Sequence, residues 1–173
     1  MKIKLLITAF SLSVLLIAGA CSKQADRTYK DSVKTALEQA DLKDVSVSED
    51  ADKNTITLGG TLHSEEAKQK AGDVAKANAG PRAIANEVSV QPVGQESDAK
   101  SIASNIDDGI ENNYKAALVE KGLNKEHIKY DAKNGVLTLK GSVKSTTQRK
   151  EAEQIAQAVP NVQQVLNQIE IRR

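Results

Sequence analysis

The chain has 173 residues, with 24 Lys or Arg against 23 Asp or Glu and a formal net charge of +1. A balance so near zero excludes a strong electrostatic partner acting through the total charge. Aromatic residues at 2 % and the absence of Trp exclude a base-stacking reader of single-stranded nucleic acid, and one cysteine excludes an internal disulfide framework.

The first element is not part of a fold. Lys2 and Lys4 precede an apolar run over residues 5–20 that ends in small residues, the order of a signal peptide. A spanning helix would want about 20 apolar residues. The exit Ile17-Ala18-Gly19-Ala20-Cys21 resembles the lipobox of bacterial lipoproteins. That resemblance implies that Cys21 becomes the first mature residue and carries an N-acyl chain, such as palmitate, and an S-diacylglycerol. It also gives the sole exported thiol a purpose. Ser22 stands where Asp would signal inner-membrane retention, so in a two-membrane envelope the resemblance implies anchoring in the outer membrane, facing the periplasm. An uncleaved anchor and an ordinary secretory peptide are the other readings of the segment.

Residues 22–28 are polar and span at most about 25 Å when extended. Tyr29, Val33, Ala36, Leu37 and Ala40 then recur at helical spacing. Alternation follows: Val45 and Val47 predict a short strand, and Ile56, Leu58 and Leu62 a second, across a turn over residues 50–54. Ser64 is placed to cap a helix with Glu65 and Glu66 in its first turn, running to about Asn78 with Ala67, Ala71, Val74 and Ala75 inward. Gly80-Pro81 stops it, and Ile84, Val88 and Val90 predict a last strand.

The same order then recurs. A Pro/Gly/polar linker leads into a longer helix from about Asp98 to Lys121, with Gly109 a candidate interruption. Ile128 and Tyr130 predict a strand, Asn134-Gly135 a tight hairpin turn, and residues 136–143 its partner strand. Ser145-Thr146-Thr147-Gln148 fits a capping box in which the Gln side chain reaches back to the backbone N–H of the cap. The following helix buries Ala152, Ile155, Ala156 and Val159, and Val162, Val165, Ile169 and Ile171 follow Pro160.

Residues 33–90 lie over 114–171 at a constant offset of 81 without a gap. Ile56, Leu58 and Leu62 fall on Leu137, Leu139 and Val143, Gly60 on Gly141, and Asn86 on Asn167. A period this long means two small domains rather than a solenoid. The sequence therefore predicts an α+β protein of two tandem modules. Each is a three-stranded mixed sheet covered on one face by two helices, in the order α-β-β-α-β. The expected division is signal peptide 1–20, lipidated tether 21–28, first module 29–91, linker 92–97 and second module 98–173.

The strands ending in Leu58-Gly59-Gly60 and Leu139-Lys140-Gly141, the Ser-capped helices with small residues, and Val162-Gln163-Gln164-Val165-Leu166-Asn167 resemble the BON domain. A lipidated chain with two such modules resembles the dual-BON outer-membrane lipoproteins. The resemblance implies binding to membrane phospholipid and envelope maintenance or stress response, without catalysis. It places the membrane contact on the helix that opens the second module. Here that helix carries Asp107, Asp108 and Glu111, charges an anionic bilayer repels.

Charge is uneven within the second module. Residues 94–131 carry five basic and eight acidic side chains, whereas 132–173 carry seven and three. Lys140, Lys144, Arg149 and Lys150 gather around one strand-to-helix turn and are the candidate contact with anionic lipid, each worth about 1 kcal/mol near such a surface. A solvated basic edge without a partner accounts for the same residues.

Gly60 and Gly141 precede helices but lack the Lys-Ser/Thr of a phosphate loop, so they read as structural, at a bulge or a close approach of chains. Asn86 and Asn167 read as side chains that fix the entry of the last strand, with ligand binding the alternative. His63 and His127 are not equivalent in the repeat, and no metal spacing is present. No metal, cofactor beyond the acyl groups, nucleic acid or small-molecule substrate is expected, and no enzyme activity. The alternative to a lipid-binding module is a membrane-tethered interaction or chaperone module contacting envelope proteins.

Overall fold

The computed structural model describes residues 28–172; the expected signal peptide, Cys21 and the expected tether lie outside the described residues. The first module opens with helix α1, Tyr29–Gln39. Its Val33 and Leu37, one turn apart, are almost fully buried. The helix closes where Asp41 takes a positive φ of 61° and Leu42 N–H donates back to Leu37 O at 2.9 Å, a left-handed stop that satisfies an orphan carbonyl. Strand β1, Val45–Asp50, then pairs antiparallel with β2, Thr55–Leu62. Helix α2, Glu65–Asn78, starts as expected at Ser64, whose Oγ accepts from Ala67 N–H at 3.2 Å. It crosses over to β3, Ala83–Asn86, and β4, Ser89–Val90, both parallel to β2.

The second module repeats this order. Helix α3 runs without interruption from Glu96 to Glu120, so Gly109 does not break it, and it begins two residues earlier than its sequence pattern shows. A short 3-10 turn, Leu123–Lys125, leads to β5, His127–Lys133, and β6, Val136–Val143. Between them Asn134 and Gly135 both take positive φ, 49° and 82°, the geometry of the tight hairpin the dipeptide predicts. Helix α4, Thr146–Gln157, precedes β7, Gln164–Asn167, and β8, Glu170–Ile171, which lie parallel to β6. The capping box differs from expectation in one bond. Ser145 Oγ accepts from Gln148 N–H, but the Gln148 side chain accepts from Lys144 N–H at 2.9 Å, one residue before the cap.

Each sheet is mixed, as expected, but its last strand comes in two pieces. Between β3 and β4, Val88 turns fully into the core, while Glu87 N–H keeps its bond to Leu58 O at 2.9 Å. Ile169 and the Gln168-to-Leu139 bond do the same between β7 and β8. The kink exchanges one stretch of edge for one more buried side chain. Two cores result: Val33, Leu37, Ile56, Leu58, Ala71 and Ala75 in the first, and Ile110, Tyr114, Leu137, Leu139, Ala152 and Ala156 in the second. Alanines at the helix–sheet contact let the helix backbone lie close to the sheet, and each leucine or isoleucine there contributes about 1.5–3 kcal/mol by burial.

The modules meet at their inner strands, β3 and β7. The contact is close to twofold: the turn before β2 meets the end of β7, and the turn before β6 meets the end of β3. Its apolar centre is small, formed by Ala85, Val136 and Leu166.

Candidate functional site

The four basic residues singled out by sequence do not share one face. Lys140 stands between Leu139 and Gly141 on β6, with its side chain on the helix-free face, directly across from Lys129 of β5. Like charges at a directly opposed position repel, so this pair is retained against a local cost. Lys144 follows β6 and is ion-paired with Glu126 at 3.3 Å. Arg149 and Lys150 belong to α4, on the other face of the sheet. Arg149 donates to Asn167 O at 3.3 Å and lines a cavity of about 370 Å³ between the modules, together with Lys53, Asp52 and Glu170.

Glu126 is the centre of a small network. Its carboxylate, 7 % exposed, meets Lys144, Arg172 Nη2 at 2.7 Å and Gln148 Nε2 at 3.2 Å. Burial works against its ionisation, yet Lys144, Gln148 and Arg172 together hold it below the usual carboxylate range. Lys144 and Arg172 are thereby committed in part to the fold.

The paired glycines sit where the strands approach most closely. Gly60 and Gly141 have φ of 103° and 100°, and a Cβ added to them would lie 2.2 Å from Asp44 O and 1.9 Å from His127 O. The strand registers run through both positions without an extra residue, so neither marks a bulge. Asn86 and Asn167 tie the inner strands to the helices: Asn86 Nδ2 donates to Lys68 O at 2.8 Å, and Asn167 Nδ2 to Arg149 O at 3.3 Å. Asn167 also donates to Glu153, whose place in the first module is taken by Gly72.

Three arrangements were not visible in the sequence. Lys68, on the expected outer side of α2, is 7 % exposed and reaches across the module boundary to Asn134 O at 2.8 Å. Burial pushes its ammonium below the usual lysine range. The Gln164 side chain bonds the backbone of β3, accepting from Asn86 N–H at 3.3 Å and donating to Ile84 O. The acidic residues of α3 also do not all face outward. Asp107 accepts from Asn134 and Gly135 N–H at 2.7 and 3.0 Å, and Glu111 accepts from Ala132 N–H at 2.9 Å. The 81-residue offset marks two of the partners as mismatches without revealing what they bind: Gln164 stands opposite Ala83, and Asn134 opposite Lys53.

With those carboxylates turned onto the hairpin, the first half of α3 presents Ile102, 59 % exposed, and Ile106, 38 % exposed. Val93, in the linker just before it, is 78 % exposed. Among the described residues, no group of three or more His, Cys, Asp or Glu is placed to hold a metal ion, and no helix is long and apolar enough to cross a membrane.

Comparison with known proteins bears on the whole chain. The BON-domain family model matches residues 25–92 and 106–173. The chain is 30 % identical over 149 residues to Osmotically-inducible protein Y of Escherichia coli (strain K12), across 85 % of this chain and 73 % of that protein. Among solved structures it is similar to the C-terminal domain of CdsD, a structural protein of the type III secretion system of Chlamydia trachomatis. That likeness has a TM-score of 0.34 and 15 % identity, covers 80 % of this chain and 62 % of that one, and is too low to bear on fold or function. The two matched segments, the residues they share at the 81-residue offset and the two α-β-β-α-β units agree: the chain belongs to the BON-domain family.

Proposed function

We propose that the protein is a non-catalytic envelope protein of the osmotic-stress response, tethered through acylated Cys21, whose modules contact phospholipid surfaces and support outer-membrane integrity. One observation carries the lipid contact. Asp107 and Glu111 are engaged by backbone N–H groups of the β5–β6 hairpin, which leaves Ile102 and Ile106 exposed on the first half of α3. Exposed apolar side chains gathered on one helix face mark an interaction surface, and insertion of the two isoleucines at the head-group boundary buries their remaining 59 % and 38 %, a gain of about 0.5–2 kcal/mol each. Lys150, exposed on α4 in the same helical layer as α3 and outside the Glu126 network, adds attraction to anionic lipid. The similarity to Osmotically-inducible protein Y supports the stress setting.

The test is sedimentation of the unlipidated chain from Ser22 onward with vesicles of phosphatidylglycerol and phosphatidylethanolamine, beside vesicles of phosphatidylcholine alone. Recovery in the pellet is expected with the first and falls for Ile102→Ser with Ile106→Ser. Lys150→Ala weakens it further at low salt than at high salt. Equal recovery with and without vesicles rejects lipid recognition by the modules.

A further inference from the structure

The boundary between the modules is built differently from the cores on either side of it. Its buried apolar cluster is three side chains, Ala85, Val136 and Leu166, and beside it Val90 of β4 faces Ala103 and Ile106 of α3 and Val162 across a cavity of about 260 Å³. The rest is polar and is distributed over the pseudo-twofold. On one side Lys133 pairs with Glu87 at 2.9 Å and Asn134 Nδ2 donates to Glu87 O at 2.8 Å. On the other, Lys53 pairs with Glu170 at 2.7 Å and Gln168 Nε2 donates to Thr55 Oγ1 at 3.1 Å. The Lys53–Glu170 pair is open to solvent at both ends, 38 % and 70 % exposed, whereas in the other pair Lys133 is 58 % exposed and Glu87 16 %. Surface pairs of this kind contribute little each and are screened by salt.

At the centre, the two inner edges do not form a ladder; the sheets remain separate. The Gln164 side-chain amide stands between them and offers β3 one acceptor and one donor, for Asn86 N–H and Ile84 O. A side-chain amide and a peptide group carry the same donor and acceptor. Gln164 therefore occupies the place on β3 that the peptide group of an added strand would take. The mate of Gln164 in the first module is Ala83, which has no such group, so β7 receives no equivalent from β3. Lys68 adds a further asymmetry. It is buried by the second module against Asn134 O, at a desolvation cost that separation of the modules relieves.

We propose that this boundary is an ionic-strength-sensitive latch: closed, the Gln164 amide holds the inner edge of β3; open, the modules separate and Ile84 O and Asn86 N–H are released to water. Contacts between domains that are small and polar permit relative motion, whereas large apolar ones do not. Salt acts on the two ion pairs and leaves the cores unchanged.

Two neighbouring amides make the opening readable. Asn86 N–H is held by Gln164 of the other module, whereas Glu87 N–H is held by Leu58 O within its own sheet. Hydrogen exchange of the full mature chain, followed by NMR, is measured from about 50 mM to about 500 mM NaCl, over which the screening length falls from about 14 Å to about 4 Å. Exchange at Asn86 relative to Glu87 is expected to rise roughly threefold to tenfold. The pair Lys53→Ser with Lys133→Ser is expected to show the raised ratio already at low salt and to lose most of the salt dependence. A ratio that stays flat with salt overturns the latch, as does a rise shared equally by Asn86 and Glu87, which means unfolding of the module. Retention of the full salt response in the double variant also overturns it, because the ion pairs are then not the sensor.

Discussion

The two modules share their helix caps and strand glycines and differ in the length of the opening helix and at one central core position. Gly60 and Gly141 have the same φ and the same impossible Cβ, and Ser64 and Ser145 cap the same helix with the same bond. In contrast, α1 has 11 residues and α3 has 25. Val33 in the first core is replaced by Tyr114 in the second, which donates to Ala152 O at 3.2 Å and meets Tyr130 edge-on at 5.1 Å between ring centroids. Burial pushes that phenol above its usual range. Duplication thus kept the caps and the close strand approaches and released the opening helix, one core position and the boundary.

The largest expected effects strike what is shared. Gly60→Ala and Gly141→Ala each require a strained positive φ and a shift of the facing strand, and each should cost its own module about 3 kcal/mol or more. Denaturant unfolding followed through resonances of both modules measures this; a loss below about 1 kcal/mol at either site would break the equivalence. Next comes a difference in the cores. Tyr114→Val gives the second module the residue of the first and should cost about 2–4 kcal/mol, because the cavity is not filled and the Ala152 bond is lost. A neutral result would show that the second core has no need of its larger side chain.

The smallest effect is a difference in acid sensitivity. The depressed carboxyl of Glu126 has no charge-matched partner set in the first module, where Val45 takes its place. Its stabilising contribution is complete above the unfolded value of about 4.3 and is lost as the pH falls through its lower folded value. The second module should therefore lose stability first on acidification, as followed by amide resonances from pH 6 to pH 3. Arg172→Ala should reduce that lead, and an unchanged lead would remove Glu126 as its source.

What sequence could and could not show divides along the same line. The Ser64 cap, the Asn134-Gly135 hairpin and the alternation of Ile56 and Leu58 are decided by neighbours within a few residues, and each is present as read. The kink at Val88 is a local event with no local signal, since Ile84, Val88 and Val90 fit an unbroken strand equally well. The docking of the modules depends on pairs such as Lys68 with Asn134 and Gln164 with Asn86, far apart in the chain and silent in any periodicity. The basic cluster was legible as composition only. Its members are adjacent in sequence, but a strand and a helix on opposite faces of one sheet carry them apart.

The kink in the last strand of each sheet has a consequence for self-association. It limits the inner edges β3 and β7 to four residues each before the chain turns inward. Edges that short offer too few consecutive peptide groups for one copy to template the next, a common protection against fibre growth. Copies of the protein brought close together can in this way hold their sheet edges near one another without growing into a continuous β-ribbon.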